Sequence, residues 1–178
     1  MMRGRGAVVA LSSLVLVGCS LVWAPAGRAR AEGDEGVTCS GSRTTVYDPP
    51  LTLLPRPVHV HSDDQYTCTV APGRTVAATG SVDSDSPGLS CLGGGGARTV
   101  ETVRYADHRH SQIVYDDATV LHVAGVTLTR LSGRVVEGRG EGRAARRTAL
   151  ALPSRLPTDC LTSGLRSSSS GVQLEIQP

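Results

Sequence analysis

The sequence of 178 residues contains no Lys, no Asn and no Phe. All of its basic charge is therefore carried by Arg, which indicates a biased base composition of the gene rather than a device for phosphate recognition. Aromatic residues are also scarce, since besides Trp23 the chain has only Tyr47, Tyr66, Tyr105 and Tyr115. Sugar-binding faces and single-stranded nucleic-acid grooves depend on stacked aromatic side chains, so both are disfavoured. The core must be built mainly from Val, Leu, Ile and Ala.

The first 31 residues have the order of an export signal. Arg3 and Arg5 precede an apolar run, and the small residues of Ala29-Arg30-Ala31 suit signal peptidase. We therefore expect residues 1–31 to be a signal peptide that is removed. Residues 32–36 are acidic and contain Gly, so we expect them to form a disordered leader of a secreted, extracellular protein.

Two alternatives for this segment remain open. Leu16-Val17-Gly18-Cys19 resembles a lipoprotein box, in which Cys19 would be acylated and would anchor the chain on the outer face of the cytoplasmic membrane. The apolar Leu21-Val22-Trp23 that follows is unusual for a lipoprotein. An uncleaved membrane anchor is the other alternative, and Pro25 disfavours it.

Removal of the leader changes the sign of the net charge. The segment holds four of the 18 Arg and none of the 16 acidic residues, so the mature chain has a net charge of −2. A mildly acidic protein is not attracted to nucleic acid or to an anionic membrane. We therefore expect no nucleic-acid partner, and no membrane contact unless Cys19 is lipidated. The basic cluster from Arg139 to Arg147 is interleaved with Glu141 and is interpreted as a solvated turn and strand edge.

The mature chain keeps four cysteines, Cys39, Cys68, Cys91 and Cys160. An even number in an exported chain predicts two disulfides with three possible pairings. The favoured pairing is Cys39–Cys68 and Cys91–Cys160, and each bond should contribute roughly 3–4.5 kcal/mol by loop-closure entropy. No two cysteines are spaced as in a CxxC zinc motif.

The stretch from Gln112 to Leu152 organises the predicted fold. It contains three runs rich in Val, Leu, Ile and Thr, with short interruptions at Ala124-Gly125 and at Glu137–Gly140. This predicts three antiparallel strands, with a β-bulge at Asp116-Asp117. A meander needs a second layer over its apolar face, and the upstream strand-like runs together with Val172–Ile176 can supply it. The expected fold is an all-β antiparallel β-sandwich over residues 37–178, with two disulfides.

Other segments are predicted to connect these strands. The polar Asp83–Gly88 is interpreted as a turn, and Pro153–Gly171 as a long polar loop. Two alternatives explain why the apolar phase changes between Val126 and Val135: a second bulge at Arg130, or a strand that is buried on both faces. No helix is expected, because no run of ten residues outside the leader keeps a helical apolar stripe.

Three parts of the mature chain resemble a group of small secreted actinobacterial proteins, described as immunoglobulin-like or uncharacterised secreted domains. The similar segments are Tyr47–Thr52 with Pro55–Val58, Leu89–Leu92, and Gly171–Ile176. The resemblance implies an immunoglobulin-like β-sandwich outside the cytoplasm. Its motifs are structural, so it implies no activity.

Two histidine pairs, His59/His61 and His108/His110, are the only site-like features. Residues i and i+2 of a strand share a face, so such a pair can bind one metal ion. The third ligand would be Asp63, Asp107 or His122. We expect exposed, unliganded histidines, no metal and no cofactor. A calcium loop at Asp83–Gly88 is disfavoured by Pro87 and by Gly94 at the closing position.

The chain contains no G-x-S-x-G turn and no metalloprotease helix motif. The expected function is therefore a non-catalytic interaction or structural module of the cell envelope or extracellular space, whose partner is a cell-wall component or an envelope protein. The alternative is a small secreted hydrolase or metal-binding protein that uses His59, His61 and nearby acids.

Overall fold

The computed structural model describes residues 36–94, 98–123, 126–152 and 156–178, except for the side chains of residues 122 and 156–158. The predicted signal peptide, the possible lipidation site at Cys19 and most of the predicted leader lie outside these residues. The elements are β1 (Val37–Leu51), β2 (Arg56–Ala71), β3 (Arg74–Ser90), β4 (Gly93–Gly94), β5 (Thr99–Tyr105), β6 (His110–Val123), β7 (Val126–Gly138), β8 (Ala144–Ala151), α1 (Leu156–Leu161) and β9 (Leu165–Ile176).

The strands form a closed antiparallel barrel, so the predicted immunoglobulin-like sandwich is wrong. Eight long strands pair in the order β2-β1-β9-β8-β7-β6-β5-β3, and β3 pairs with β2 to complete the ring. The two-residue β4 is an extra strand beside β3. Each long strand therefore pairs with the strand that follows it in the chain, and β9 returns to β1. Closure leaves no unpaired edge strand in the ring. The sheets of a sandwich keep such edges and must protect them by other means.

The strands are longer than the sequence pattern indicates, and this length permits closure. Asp83–Gly88 is part of β3 and not a turn, because it pairs with β2 in continuous register from Ser84 to Ser86. The expected polar loop before Val172 is also wrong, since β9 begins at Leu165 and α1 precedes it. The short α1 contradicts the expectation of a chain without a helix, and six residues are too few to show a periodic apolar stripe.

The predicted central meander is confirmed. Strands β6, β7 and β8 pair antiparallel in sequence order. The register shifts between Tyr115 and Asp117, which confirms a bulge at the two acids. The second register shift lies between Gln112 and Ile113, opposite Val136, and not at Arg130, which was one of the two expected alternatives.

The main hydrophobic core fills one half of the barrel, which we call the closed half. It contains Val37, Cys39, Tyr66, Cys68, Val70, Ala78, Val103, Tyr105, Ile113, Tyr115, Val135, Ala145, Val172, Leu174 and Ile176. Three of the four tyrosines belong to it. A smaller cluster of Leu51, Val58, Cys160 and Leu165 lies toward the other end, which we call the open half.

Both disulfides have the predicted pairing. Cys39–Cys68 joins paired positions of β1 and β2 inside the closed half. Cys91–Cys160 joins the segment after β3 to α1 at the open half. Two disulfides fit an oxidising environment outside the cytoplasm. Among the residues that the structure describes, no helix is long and apolar enough to cross a membrane.

Candidate functional site

A layer of charged side chains crosses the middle of the barrel, and we call it the ionic layer. It consists of Arg43 on β1, Asp64 on β2, Glu101 on β5 and Arg147 on β8. Arg147 is 1% exposed, and both carboxylates are 0% exposed. These residues occur at the same alternating positions as the apolar inward-facing residues of their strands, so each is carried into the interior.

Arg147 is the cation at the centre of the ionic layer. Its Nη2 donates a hydrogen bond to Asp64 Oδ2, and its Nη1 lies 3.5 Å from Glu101 Oε2. Burial disfavours charge on Arg147, but attraction by Glu101 and its neighbours outweighs this and raises the pKa of the guanidinium. Burial also raises the pKa of Asp64, although Arg147 opposes that rise.

Two tyrosines connect the ionic layer to the apolar core. The Tyr66 hydroxyl donates to Glu101 Oε1 at 2.9 Å, and the Tyr115 hydroxyl donates to Glu101 Oε2 at 2.5 Å. Burial raises the pKa of both phenols well above the ordinary value, so both keep their protons and act as donors. Glu101 therefore has hydrogen-bond donors on both carboxylate oxygens.

Arg43 is the member of the ionic layer that is nearest the open half. Its Nη2 donates to Ser62 Oγ, which in turn donates to Thr45 Oγ1 at 3.1 Å. Its Nε lies 4.0 Å from Asp64 Oδ1, and both of these atoms are buried without a hydrogen-bond partner. The side chain remains 13% exposed. The open half begins at this residue.

A cavity of about 780 Å³ occupies the open half. The closed half is filled by the core, whereas most strands here turn Ser, Thr or Ala inward. Its Ser and Thr lining residues are Thr45, Ser84, Ser86, Ser90, Thr99, Thr127, Thr129 and Ser167–Ser170. Its aliphatic lining includes Leu51, Val60, Leu89, Val120, Leu131, Ala149 and Leu165. The cavity reaches solvent at the end of the barrel, where Leu152 on its wall is 64% exposed.

Charged groups are few in the cavity. The charged residues among the described lining are Arg43 and Asp159, and no described lining residue is His. Asp159 belongs to α1, at the open end, where the disulfide to Cys91 holds the helix beside the wall. The cavity therefore has a cation at its floor and an acid near its mouth.

The first histidine pair lies on the outer face of the barrel and not in this cavity. His59 Nδ1 is 2.9 Å from Asp85 Oδ1, and His61 Nδ1 is 2.7 Å from Asp83 Oδ1. Asp63 Oδ2 is 3.3 Å from His61 Nε2. The hydrogen bond that His61 donates to Asp83 raises the pKa of His61, and burial opposes this rise. These acids belong to strand positions, which explains why Asp83–Gly88 does not form a calcium loop.

The second pair lies at the closed end. His108 is in the turn before β6 with φ of 65°, and His110 Nε2 is 3.2 Å from Glu137 Oε1. Asp107 does not join them as a ligand, because Arg139 Nη2 lies 2.6 Å from its Oδ2 and lowers its pKa. Among the described residues, no group of three or more His, Cys, Asp or Glu side chains is arranged to hold a metal ion. The side chain of His122 lies outside the described part.

The interpretation of Arg139–Arg147 as a solvated cluster is wrong for both of its ends. Arg147 is in the ionic layer, and Arg139 is 9% exposed with its guanidinium 4.4 Å from the centre of the Tyr105 ring.

A signal for the ionic layer exists in the sequence. Asp64, Glu101 and Arg147 each occur in phase with apolar or small residues on either side, and three such interruptions with opposite charges could have indicated a shared interior.

No family model matches the chain, and no curated protein or solved structure matches it either.

Proposed function

We propose that this chain is an exported binding protein that holds a small molecule in the open half of its barrel. The proposal is based on the cavity of about 780 Å³ that lies above the ionic layer. Cavities of roughly 300–1,000 Å³ accommodate ligands of drug size, and eight-stranded barrels are wide enough to hold one small ligand. The cavity walls mix aliphatic and hydroxyl groups, which suits a ligand with both kinds of surface.

Binding rather than catalysis is favoured by the chemistry of the lining. General acid–base or nucleophilic catalysis needs a base beside the reacting group, and the described lining supplies only Asp159 near the mouth. The histidines considered for a hydrolase, His59 and His61, have their partners outside the barrel. We expect from the sequence a non-catalytic interaction module of the cell envelope or extracellular space. The present proposal keeps that role and makes its partner a small molecule.

The test is a fragment screen by NMR on the isotope-labelled mature protein with both disulfides formed. Ala149 lines the cavity and is 9% exposed, so Ala149→Phe should occupy part of the volume. Its neighbour Leu150 is 44% exposed, and Leu150→Phe is the matched control. We expect fragments that shift the amide signals of lining residues in the wild type and the control, with weaker shifts in Ala149→Phe. A screen with no such fragment, or equal binding by Ala149→Phe, would contradict the proposal.

A further inference from the structure

Of the two arginines in the ionic layer, Arg43 is the one that lies farther from a carboxylate. Asp64 Oδ2 and Glu101 Oε2 both face Arg147, whereas the carboxylate nearest to Arg43 lies 4.0 Å from its Nε. Burial and the repulsion of Arg147 together lower the pKa of Arg43. A guanidinium nonetheless stays protonated at neutral pH. The floor of the cavity therefore carries a cation that lacks a close carboxylate.

The position of Arg43 makes this cation accessible to a ligand. Arg147 is 1% exposed and is not among the lining residues, whereas Arg43 lines the cavity and keeps 13% exposure. Asp159, the acid of the lining, is on α1 at the mouth. An anionic group at the floor would be near Arg43, and a cationic group there would be repelled by it.

The walls constrain the rest of the ligand. Aliphatic side chains such as Val60 and Leu165 alternate around the cavity with hydroxyls such as Thr129 and Ser168. Tyr47, the aromatic residue of the lining, has its hydroxyl 2.9 Å from Ser168 Oγ. One Tyr supplies little stacking surface, so the lining favours an aliphatic skeleton with oxygen-bearing substituents over a flat aromatic one.

We propose that the cavity binds an aliphatic organic acid, whose carboxylate contacts Arg43 at the floor and whose oxygenated chain extends along the Ser/Thr and aliphatic walls toward the mouth. This inference rests on the proposed function and adds the chemical class of the ligand. Guanidinium is well suited to the carboxylate because its planar donors match two carboxylate oxygens. The competing explanation is that Arg43 only supports Asp64 and Ser62 and meets no ligand.

The experiment uses four flexible probes of equal chain length, so that shape does not decide the outcome. They are decanoate, its methyl ester, decylamine and 10-hydroxydecanoate, each titrated below its micelle concentration into the labelled protein. We expect decanoate to bind about tenfold or more tightly than the ester, because hydrogen bonds to charged groups are the stronger kind. Decylamine should bind more weakly than the ester, and the hydroxy acid at least as tightly as decanoate.

Arg43→Gln removes the charge but keeps an amide that can donate to Ser62. It should reduce decanoate binding to the level of the ester and leave ester binding unchanged. Arg134 is exposed on β7, so Arg134→Gln changes the net charge equally without touching the interior. Arg43→Lys should restore part of the preference for the acid.

Several results would overturn the inference. Equal affinity for acid and ester in the wild type would do so without any variant, and so would decanoate binding that is unaffected by Arg43→Gln. Failure of all four probes to shift cavity amides would reject the ligand class. The proposed function would still stand in that case if the wider fragment screen gave cavity binders sensitive to Ala149→Phe, and it would fail only with that screen.

Discussion

Replacing Arg147 with Met would remove the central cation of the ionic layer. Asp64 and Glu101, both 0% exposed, would then share the interior with Arg43 alone, whose Nε lies 4.0 Å from Asp64. Removing one partner of a buried ion pair costs about 3–5 kcal/mol, because the remaining charge is left buried without compensation. We therefore expect the free energy of unfolding to fall by about that amount at neutral pH.

The loss should depend on pH in a definite direction. Burial already raises the pKa of Asp64 in the folded protein, and Arg147 opposes that rise. Folding that raises the pKa of a carboxyl destabilises the folded state at any pH above the pKa of that carboxyl in the unfolded chain. The destabilisation disappears once the pH falls below the unfolded-chain pKa, because the carboxyl is then protonated in both states. The difference in unfolding free energy between the wild type and Arg147→Met should therefore be largest at neutral pH and shrink toward about pH 4.

Urea unfolding of the disulfide-bonded protein measures this difference. Arg146 is the exposed neighbour on the same strand, so Arg146→Met is the matched control and should change stability by less than about 1 kcal/mol. Adding Asp64→Asn and Glu101→Gln to Arg147→Met should recover part of the loss, since no carboxylate then stays unpaired. This triple variant also serves if Arg147→Met alone does not fold. If Arg147→Met were as stable as Arg146→Met at neutral pH, the buried carboxylates would not depend on Arg147 for their stability.

Three further predictions concern the outer histidines and a tight interior position. The pKa of His61 should fall in Asp83→Asn, because the hydrogen bond between His61 and Asp83 is the largest cause of its raised value. An NMR titration that finds the same His61 pKa in the variant would contradict this. Elemental analysis of untagged protein should find no stoichiometric zinc or copper, and one equivalent lost with both His59 and His61 replaced by Ala would reverse the interpretation. Gly80→Ala should cost about 1–3 kcal/mol, because the added methyl would lie 2.8 Å from the Tyr66 ring and 2.9 Å from Glu101. Gly88 on the same strand has open space, so Gly88→Ala should be nearly neutral in the same unfolding assay.

Besides the central meander and both disulfide pairings, most of the strand pattern that could be predicted lies in the closed half. Thr75–Val82 turns Ala78, Gly80 and Val82 inward, as the alternation predicts. The end of β9 places Val172, Leu174 and Ile176 in the core. Cys39 and Cys68 lie at paired positions of adjacent strands, so the favoured pairing joins neighbouring strands as expected. Alternation of apolar and polar residues is a reliable signal wherever one face of a strand is buried in an apolar core.

The barrel itself was not predicted, because its closure depends on polar segments. The first half of β9 includes Ser167–Ser170, which pairs with Arg43–Val46 of β1 and so joins the last strand to the first. Around the cavity, inward residues such as Ser84, Ser86 and Thr129 carry hydroxyls, so inward and outward positions both look polar. Period-2 alternation disappears where a strand lines a polar cavity, and the sequence then resembles loops.

The cavity exists because many inward-facing side chains of the open half are smaller than those of the closed half. The interior of an eight-stranded barrel is just wide enough to be filled by side chains, and in the closed half Tyr66, Tyr105 and Tyr115 help to fill it. In the open half the inward positions of β7 and β8 include Thr127, Thr129, Ala149 and Ala151, whose side chains are too short to reach across the barrel. The wall cannot collapse onto them, because its strands are hydrogen-bonded in a closed ring. The ionic layer separates the two halves, since its hydrogen-bonded groups hold Arg43 at the boundary of the core. The small side chains of the open half therefore keep a space whose floor is charged, and a ligand that enters it meets that charge without displacing any of the core.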